Sequence, residues 1–198
     1  MKRAGLGLSA RFLVAVGLLS VIGCGRNTAD DSTASSVEPP TVLTLDGDTE
    51  RQISRITLET PSFDAPVSMS MGGIPSSVEA GGTAIVAVRM QVAPTWHIYP
   101  VGERTGPSIP TKLEFELPAG FQWTAEWQIP PTESFVDEYG SHDVYTGELL
   151  FWRPILVADS VSPGQFPLTC NVTSQTCTSQ SCLPPTTIEL SSTIEVVK

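Results

Sequence analysis

Apolar and polar residues alternate with a period of two along much of this chain from about residue 53 onward, the period of half-buried strands. In "TAIVAVRMQV" (83–92), Val86, Val88, Met90 and Val92 share one face. In "KLEFEL" (112–117), Leu113, Phe115 and Leu117 point inward while Lys112, Glu114 and Glu116 point outward. "FQWTAEW" (121–127) places Phe121, Trp123, Ala125 and Trp127 on one side. "ELLFWRPILV" (148–157) is apolar on both faces, as a central strand is, although Pro154 points to a bulge or an edge. "TIELSSTIEVV" (187–197) alternates again. Turn-forming stretches such as "EAGG", "LPAG" and "SPGQ" separate these runs, and no window of a dozen residues carries a 3.6-residue period. Short alternating strands with regular turns predict an all-β antiparallel sandwich whose aromatic residues pack in or between the sheets.

Composition narrows what such a sandwich can do. The 198 residues leave room for one ordinary domain plus extensions, and 40% hydrophobic with 16% charged residues suits a globular core. A net charge of −10 repels phosphate backbones and anionic headgroups, so neither nucleic acid nor a bare lipid surface is an expected partner. There is no nucleotide-binding glycine pattern, no metalloprotease helix motif and no Gly-x-Ser-x-Gly elbow. His97 and His142 are the two histidines, and with the cysteines they do not make up a standard zinc set, so no metal and no cofactor are expected. His97 itself reads as a packed strand residue.

The N-terminus indicates export. Lys2, Arg3 and Arg11 precede a mostly apolar run from Phe12 to Ile22 that is too short to span a bilayer, followed by Gly23 and Cys24. "VIGC" resembles a bacterial lipobox, which would make residues 1–23 a lipoprotein signal peptide and Cys24 the lipidated first residue of the mature chain. Gly25 rather than an aspartate follows, so nothing signals inner-membrane retention, and the expected location is the periplasmic face of a bacterial membrane, the outer one favoured over the inner. Losing residues 1–23 would leave a mature chain of about −13. The stretch after Cys24 is rich in Ser, Thr, Asp and Pro, and residues 24–52 are expected to be a flexible tether ahead of a folded domain at 53–198. An oxidising compartment favours disulfides. Among Cys170, Cys177 and Cys182 three single bridges are possible, and the spacing does not choose between them. An unpaired Cys170 is expected to be buried and inert.

Four segments, "PTWHIYP" (94–100), "GPSIPTKLEFELPAGFQW" (106–123), "DEYGSHDVYTG" (137–147) and "SQTCTSQSCLPPTT" (174–187), stand in an order that resembles the N-terminal periplasmic domain of the thiol:disulfide interchange protein DsbD. The resemblance covers roughly residues 64–198 and implies an immunoglobulin-like sandwich. It implies that Cys177 and Cys182 are a redox pair, and that Asp137, Glu138, Tyr139 and Gly140 belong to a cap segment, with Gly140 as its hinge. That family's cap often reads Asp-Glu-Phe-Tyr-Gly; here one aromatic is missing, which leaves open whether Tyr139 fills the shielding position. It further implies thioredoxin-like periplasmic partners and a membrane electron donor. The chain as given has neither a polytopic membrane segment nor a thioredoxin domain, so a donor on a separate chain is expected.

Two cysteines with four residues between them fit the ends of a hairpin loop, where facing Cα atoms come within ~4.5–5.5 Å, inside disulfide range. Pro184 and Pro185 then remove two ladder donors beside Cys182 and leave the strand open to a partner. So small a ring stabilises by only ~2 kcal/mol in the chain-entropy model, which favours a working bridge over a staple. No Lys, Arg or His lies between Arg153 and Lys198, so nothing nearby in sequence lowers a thiolate pKa, and Asp137 and Glu138 would raise it. The expected chemistry is attack on the disulfide by a low-pKa partner thiolate, with Cys182 as the first target, a cap carboxylate moving the proton and Tyr139 shielding the pair. The alternative is a non-catalytic immunoglobulin-like envelope lipoprotein with a structural disulfide.

Overall fold

The structure, a computed structural model, describes residues 43–103, 108–137 and 140–198. In chain order the elements are α1 (Gly47–Ile53), β1 (Val67–Ile74), β2 (Ser77–Glu79), β3 (Thr83–Val92), β4 (His97–Val101), β5 (Pro110–Glu116), β6 (Phe121–Trp123), β7 (Glu133–Asp137), β8 (Gly140–Val144), β9 (Glu148–Val157), β10 (Gly164–Ser174), β11 (Thr176–Cys177) and β12 (Thr186–Val197). The strands form a sheet of order β1-β3-β9-β6, a second of order β11-β4-β5-β10-β12-β2, and a separate β7-β8 ribbon. Pairing is antiparallel except for β4 with β5 and β12 with β2. This is the all-β sandwich expected from the alternation.

The alternating residues meet between the sheets. Val86, Val88, Met90 and Val92 of β3 and Phe151, Ile155 and Val157 of β9 pack in one core with Ile98, Leu168, Cys170, Val172, Ile194 and Val196 from the facing sheet. Each such side chain contributes about 1.5–3 kcal/mol by leaving water. Phe115, Trp123 and Trp127 pack against this core from its edge, their rings 5.3–6.4 Å apart, and the Arg153 guanidinium lies 4.5 Å over Trp123.

Two strand expectations need correcting. The run 121–127 keeps its alternation of burial, but the strand ends at Trp123. Arg153 Nε donates to Ala125 O at 2.6 Å, an anchor from a side chain where a ladder would have used backbone. Pro154 marks neither a bulge nor an edge, because β9 pairs with β3 without a register shift and with β6 on its other side. Its carbonyl accepts from Thr124 N–H at 3.1 Å, so its ring nitrogen also faces the β6 side, just beyond where β6 has ended, and no ladder bond to β3 is lost.

Residues 43–52, expected from the sequence to be tether, are described, and 47–52 lie in the helix α1. Asp46 caps α1, its Oδ1 accepting from Asp48 N–H and Thr49 N–H at 2.9 Å each. Leu43, Leu45, Ile53 and Ile56 cover Ala87 and Trp152 on the outer face of the four-stranded sheet. Leu43 N–H donates to Gln128 Oε1 at 3.2 Å, and Arg89 Nη1 donates to Ile56 O at 2.7 Å. The expected signal peptide, the expected lipidation site Cys24 and the first part of the expected tether lie outside the described residues. Among the described residues no helix is long and apolar enough to cross a membrane.

Candidate functional site

Between the paired strands β10 and β12 the chain leaves the sheet and forms a short excursion whose first leg, β11, is the outermost strand beside β4. Thr178 shapes the tip: its N–H donates to Ser181 O at 2.8 Å, and its Oγ1 accepts from Gln180 N–H and Ser181 N–H at 3.2 Å each. Leu183 N–H donates to Thr176 O at 2.9 Å. Bonds therefore flank residues 177 and 182 without joining them, which makes these two a non-hydrogen-bonded pair, the position of closest approach in an antiparallel ladder. A disulfide links Cys177 to Cys182 with the Cα atoms 4.0 Å apart, closer than the spacing expected from sequence. Of the bridges open in sequence this is the one formed. Cys170 is free and fully buried, and desolvation, with Glu114 adding to it, pushes its thiol up to about 12.

The two sulfur-bearing residues differ in access. Cys177 is 1% exposed, whereas Cys182, Leu183, Pro184 and Pro185 all face solvent. Gln175 braces the excursion: its Oε1 accepts from Ile109 N–H at 3.1 Å and its Nε2 donates to Leu183 O at 3.3 Å. Thr111 Oγ1 donates to Tyr99 O at 2.6 Å and holds β4 where its pairing with β5 is irregular.

Alternation along β4 sends Ile98 into the core and His97 and Tyr99 to the other face. His97 stands opposite Cys177 in the ladder, so their side chains are cross-strand neighbours. The β7-β8 ribbon leans on this face. Phe135 lies with its ring 4.4 Å from that of His97, and His142, opposite Phe135 in the ribbon, lies 6.0 Å from Tyr99. Mutual bonds between Ile98 and Tyr145 at 2.8 and 3.0 Å tie the end of β8 to β4. Asp137 Oδ2 is 3.3 Å from His142 Nε2, a close approach without hydrogen-bond geometry, and the Asp137 side chain is only 13% exposed. Gly140 pairs with Asp137 at the ribbon's end with φ of 124°, a conformation that favours glycine.

Of the cap residues expected from sequence, Asp137 and Gly140 pair at the end of the β7-β8 ribbon, while Glu138 and Tyr139 lie outside the described residues. Phe135 was missed. Its signal was the alternation of "ESFVD", which puts Phe135 on the same face as Asp137. His97 is a packed strand residue as expected, 2% exposed, but its position across from Cys177 was not read. No basic residue lies near the pair in sequence, but across the ladder His97 stands opposite Cys177. Burial first, and His142 second, lower the pKa of His97, with Asp137 acting in the opposite sense. Among the described residues no group of three His, Cys, Asp or Glu side chains could hold a metal ion.

A family model described as "Thiol:disulfide interchange protein DsbD, N-terminal" matches residues 73–193. The chain belongs to that family. Its members include thiol–disulfide exchange domains, and the edge-strand disulfide of this chain fits that general role. No curated protein matches the chain. Among solved structures, the N-terminal periplasmic domain of ScsB from Proteus mirabilis aligns at 17% identity and a TM-score of 0.49, covering 69% of this chain and 49% of that one. This chain thus spans about half the length of that structure. The reduced Neisseria meningitidis DsbD N-terminal domain aligns at 18% identity and a TM-score of 0.38, over 64% of this chain and 88% of that one. These likenesses are loose, and membership of the DsbD N-terminal family rests on the family match.

Proposed function

We propose that this chain is an exported, lipid-anchored thiol–disulfide exchange module. In this reading its Cys177–Cys182 disulfide relays electrons between a donor on another chain, membrane-embedded or thioredoxin-like, and acceptors in the envelope. The lipid anchor is Cys24, and the site is periplasmic, on the outer membrane. The observation that carries the reading is the asymmetry of the bridge: an exposed Cys182 on an unpaired edge and a shielded Cys177 behind it. A partner thiolate attacks Cys182 Sγ in line with the bridge, the bond to Cys177 breaks, and Cys177 leaves with the electron pair. A second partner thiol then resolves the mixed disulfide, so two electrons enter the domain and the partner becomes oxidised. Leu183 and Val136, both exposed apolar residues, offer a thioredoxin-like surface something to bury. Asp137, Glu138, Tyr139 and Gly140 act as the cap that limits access by stray thiols, and Phe135 adds a second aromatic surface to that of Tyr139.

Trapping tests this. A Cys177→Ser variant retains only the accessible thiol of the pair and is expected to accumulate a mixed disulfide with a thioredoxin-like dithiol protein, while Cys182→Ser is not. Equal trapping by both, or by neither, overturns the assignment. The potential of the wild-type pair separates exchange from a staple: a value near those of thioredoxin-like carriers supports exchange, and one far below about −300 mV opposes it.

A further inference from the structure

His97 Nε2 is buried and has no hydrogen-bond partner among the described residues, although the residue is 2% exposed and held at the start of β4, paired with Cys177 of β11. Buried polar atoms are nearly always satisfied, and an orphan beside reactive sulfur calls for a reason. The residue facing it across the ladder is Cys177, a cystine half with no hydrogen to give. Reduction changes that, because the cysteine then carries an S–H, a donor at the cross-strand neighbour of an unsatisfied acceptor.

We infer that His97 is the proton acceptor of the Cys177 thiol: its Nε2 is orphaned while the bridge is closed and becomes satisfied when the bridge opens. The inference rests on the exchange reading above and adds the residue that handles the proton. In the step that re-forms the bridge, Cys182 is joined to a partner sulfur. The Cys177 S–H proton passes to Nε2, the sulfur's electron pair forms the bond to Cys182 Sγ, and the partner sulfur departs as a thiolate. That thiolate then takes up the proton through solvent. In the reverse step the imidazolium returns a proton to Cys177 as it leaves. The groups facing His97 set its readiness. From the ribbon, His142 opposes its protonation and Asp137 supports it; Tyr99 lies along its own strand at 5.5 Å between rings, and Phe135 covers it. A neutral imidazole is the form needed to accept a proton, and burial favours that form.

Two consequences can be measured separately. The acceptor stabilises the dithiol over the disulfide, so His97→Phe is expected to lower the equilibrium constant for reduction in a glutathione buffer about tenfold, ~30 mV toward a more reducing potential. His97→Gln, whose side-chain oxygen accepts a hydrogen bond without being a base, is expected to restore the potential. It should not restore the rate of exchange with thioredoxin as a dithiol probe, and on acidification below about 6.5 the wild-type pH profile carries the imidazole's titration whereas the Gln variant's does not. Should His97→Phe fold poorly, the wild-type protein decides: the His97 imidazole ¹⁵N resonances are expected to move on reduction with dithiothreitol. Resonances that stay in place, or variants whose potential and pH profile match the wild type, overturn the role of His97. A wild-type domain that thioredoxin cannot reduce sinks the exchange reading instead, and the potential and resonance measurements still decide the proton acceptor.

Discussion

At Cys170 a reactive group is kept out of the chemistry by burial alone. The residue sits on β10, paired on both sides and fully enclosed, and its thiol is pushed up to about 12, so the thiolate is scarce at any ordinary pH. A thiol-reactive dye added to the reduced native protein is expected to label Cys182 first and to leave Cys170 untouched until denaturant is added; labelling of Cys170 in the native state would contradict its placement. His97 gives a second test at this scale. Burial, followed by His142, lowers its pKa, so the unfolded chain holds the proton more tightly than the folded one. Its share of stability is complete above the unfolded value, about 6.5, and is lost as the pH falls through that value toward the lower folded one. Urea midpoints are therefore expected to drop on acidification through this window, and His97→Gln to remove that part of the drop. A wild-type midpoint that is flat there, or a variant with the same slope, rules this out.

Among the elements, α1 and the strap leading into it differ from every strand in how they are held. The helix has seven residues, too few to be stable alone, and depends on Ile53 and its neighbours covering Ala87 and Trp152. Ile53→Ala removes apolar contact of a kind worth ~2–5 kcal/mol in a core. Here the loss is expected to appear as local undocking. Amide exchange across residues 43–53 should speed up together, while β3 and β9 keep their protection. A uniform loss of protection over the whole domain would show instead that the strap is integral to the sandwich. The ribbon of β7 and β8 was legible only in part: "DEYG" marked its end, yet its docking on β4 through Phe135 and Tyr145 depends on contacts that no local pattern contains.

Across the molecule, the two sheets supply the stability and the disulfide supplies little of it. Phe151 is fully enclosed in the main core, and Phe151→Ala is expected to cost ~3–5 kcal/mol in a denaturant titration. Reducing the Cys177–Cys182 bridge opens a ring of six residues and is expected to cost only ~2 kcal/mol, so the reduced domain should unfold cooperatively at a modestly lower midpoint. If reduction unfolded the domain outright, the bridge would be a structural staple and the exchange reading would lose its basis.

The sequence by itself determined the sandwich, because a period of two at Val86, Val88, Met90 and Val92, or at Leu113 and Phe115, can bury its apolar side only as a strand with a second sheet opposite. It also supplied the family resemblance and, through it, the cysteine pair. The tertiary structure alone decided that Cys177 is shielded while Cys182 is open, and that His97, eighty residues away in the chain, faces the buried sulfur. Periodicity is a property of neighbours along the chain. Which strand lies beside which, and so which imidazole meets which sulfur, is set by sheet order and register, and these follow from how the whole apolar surface packs.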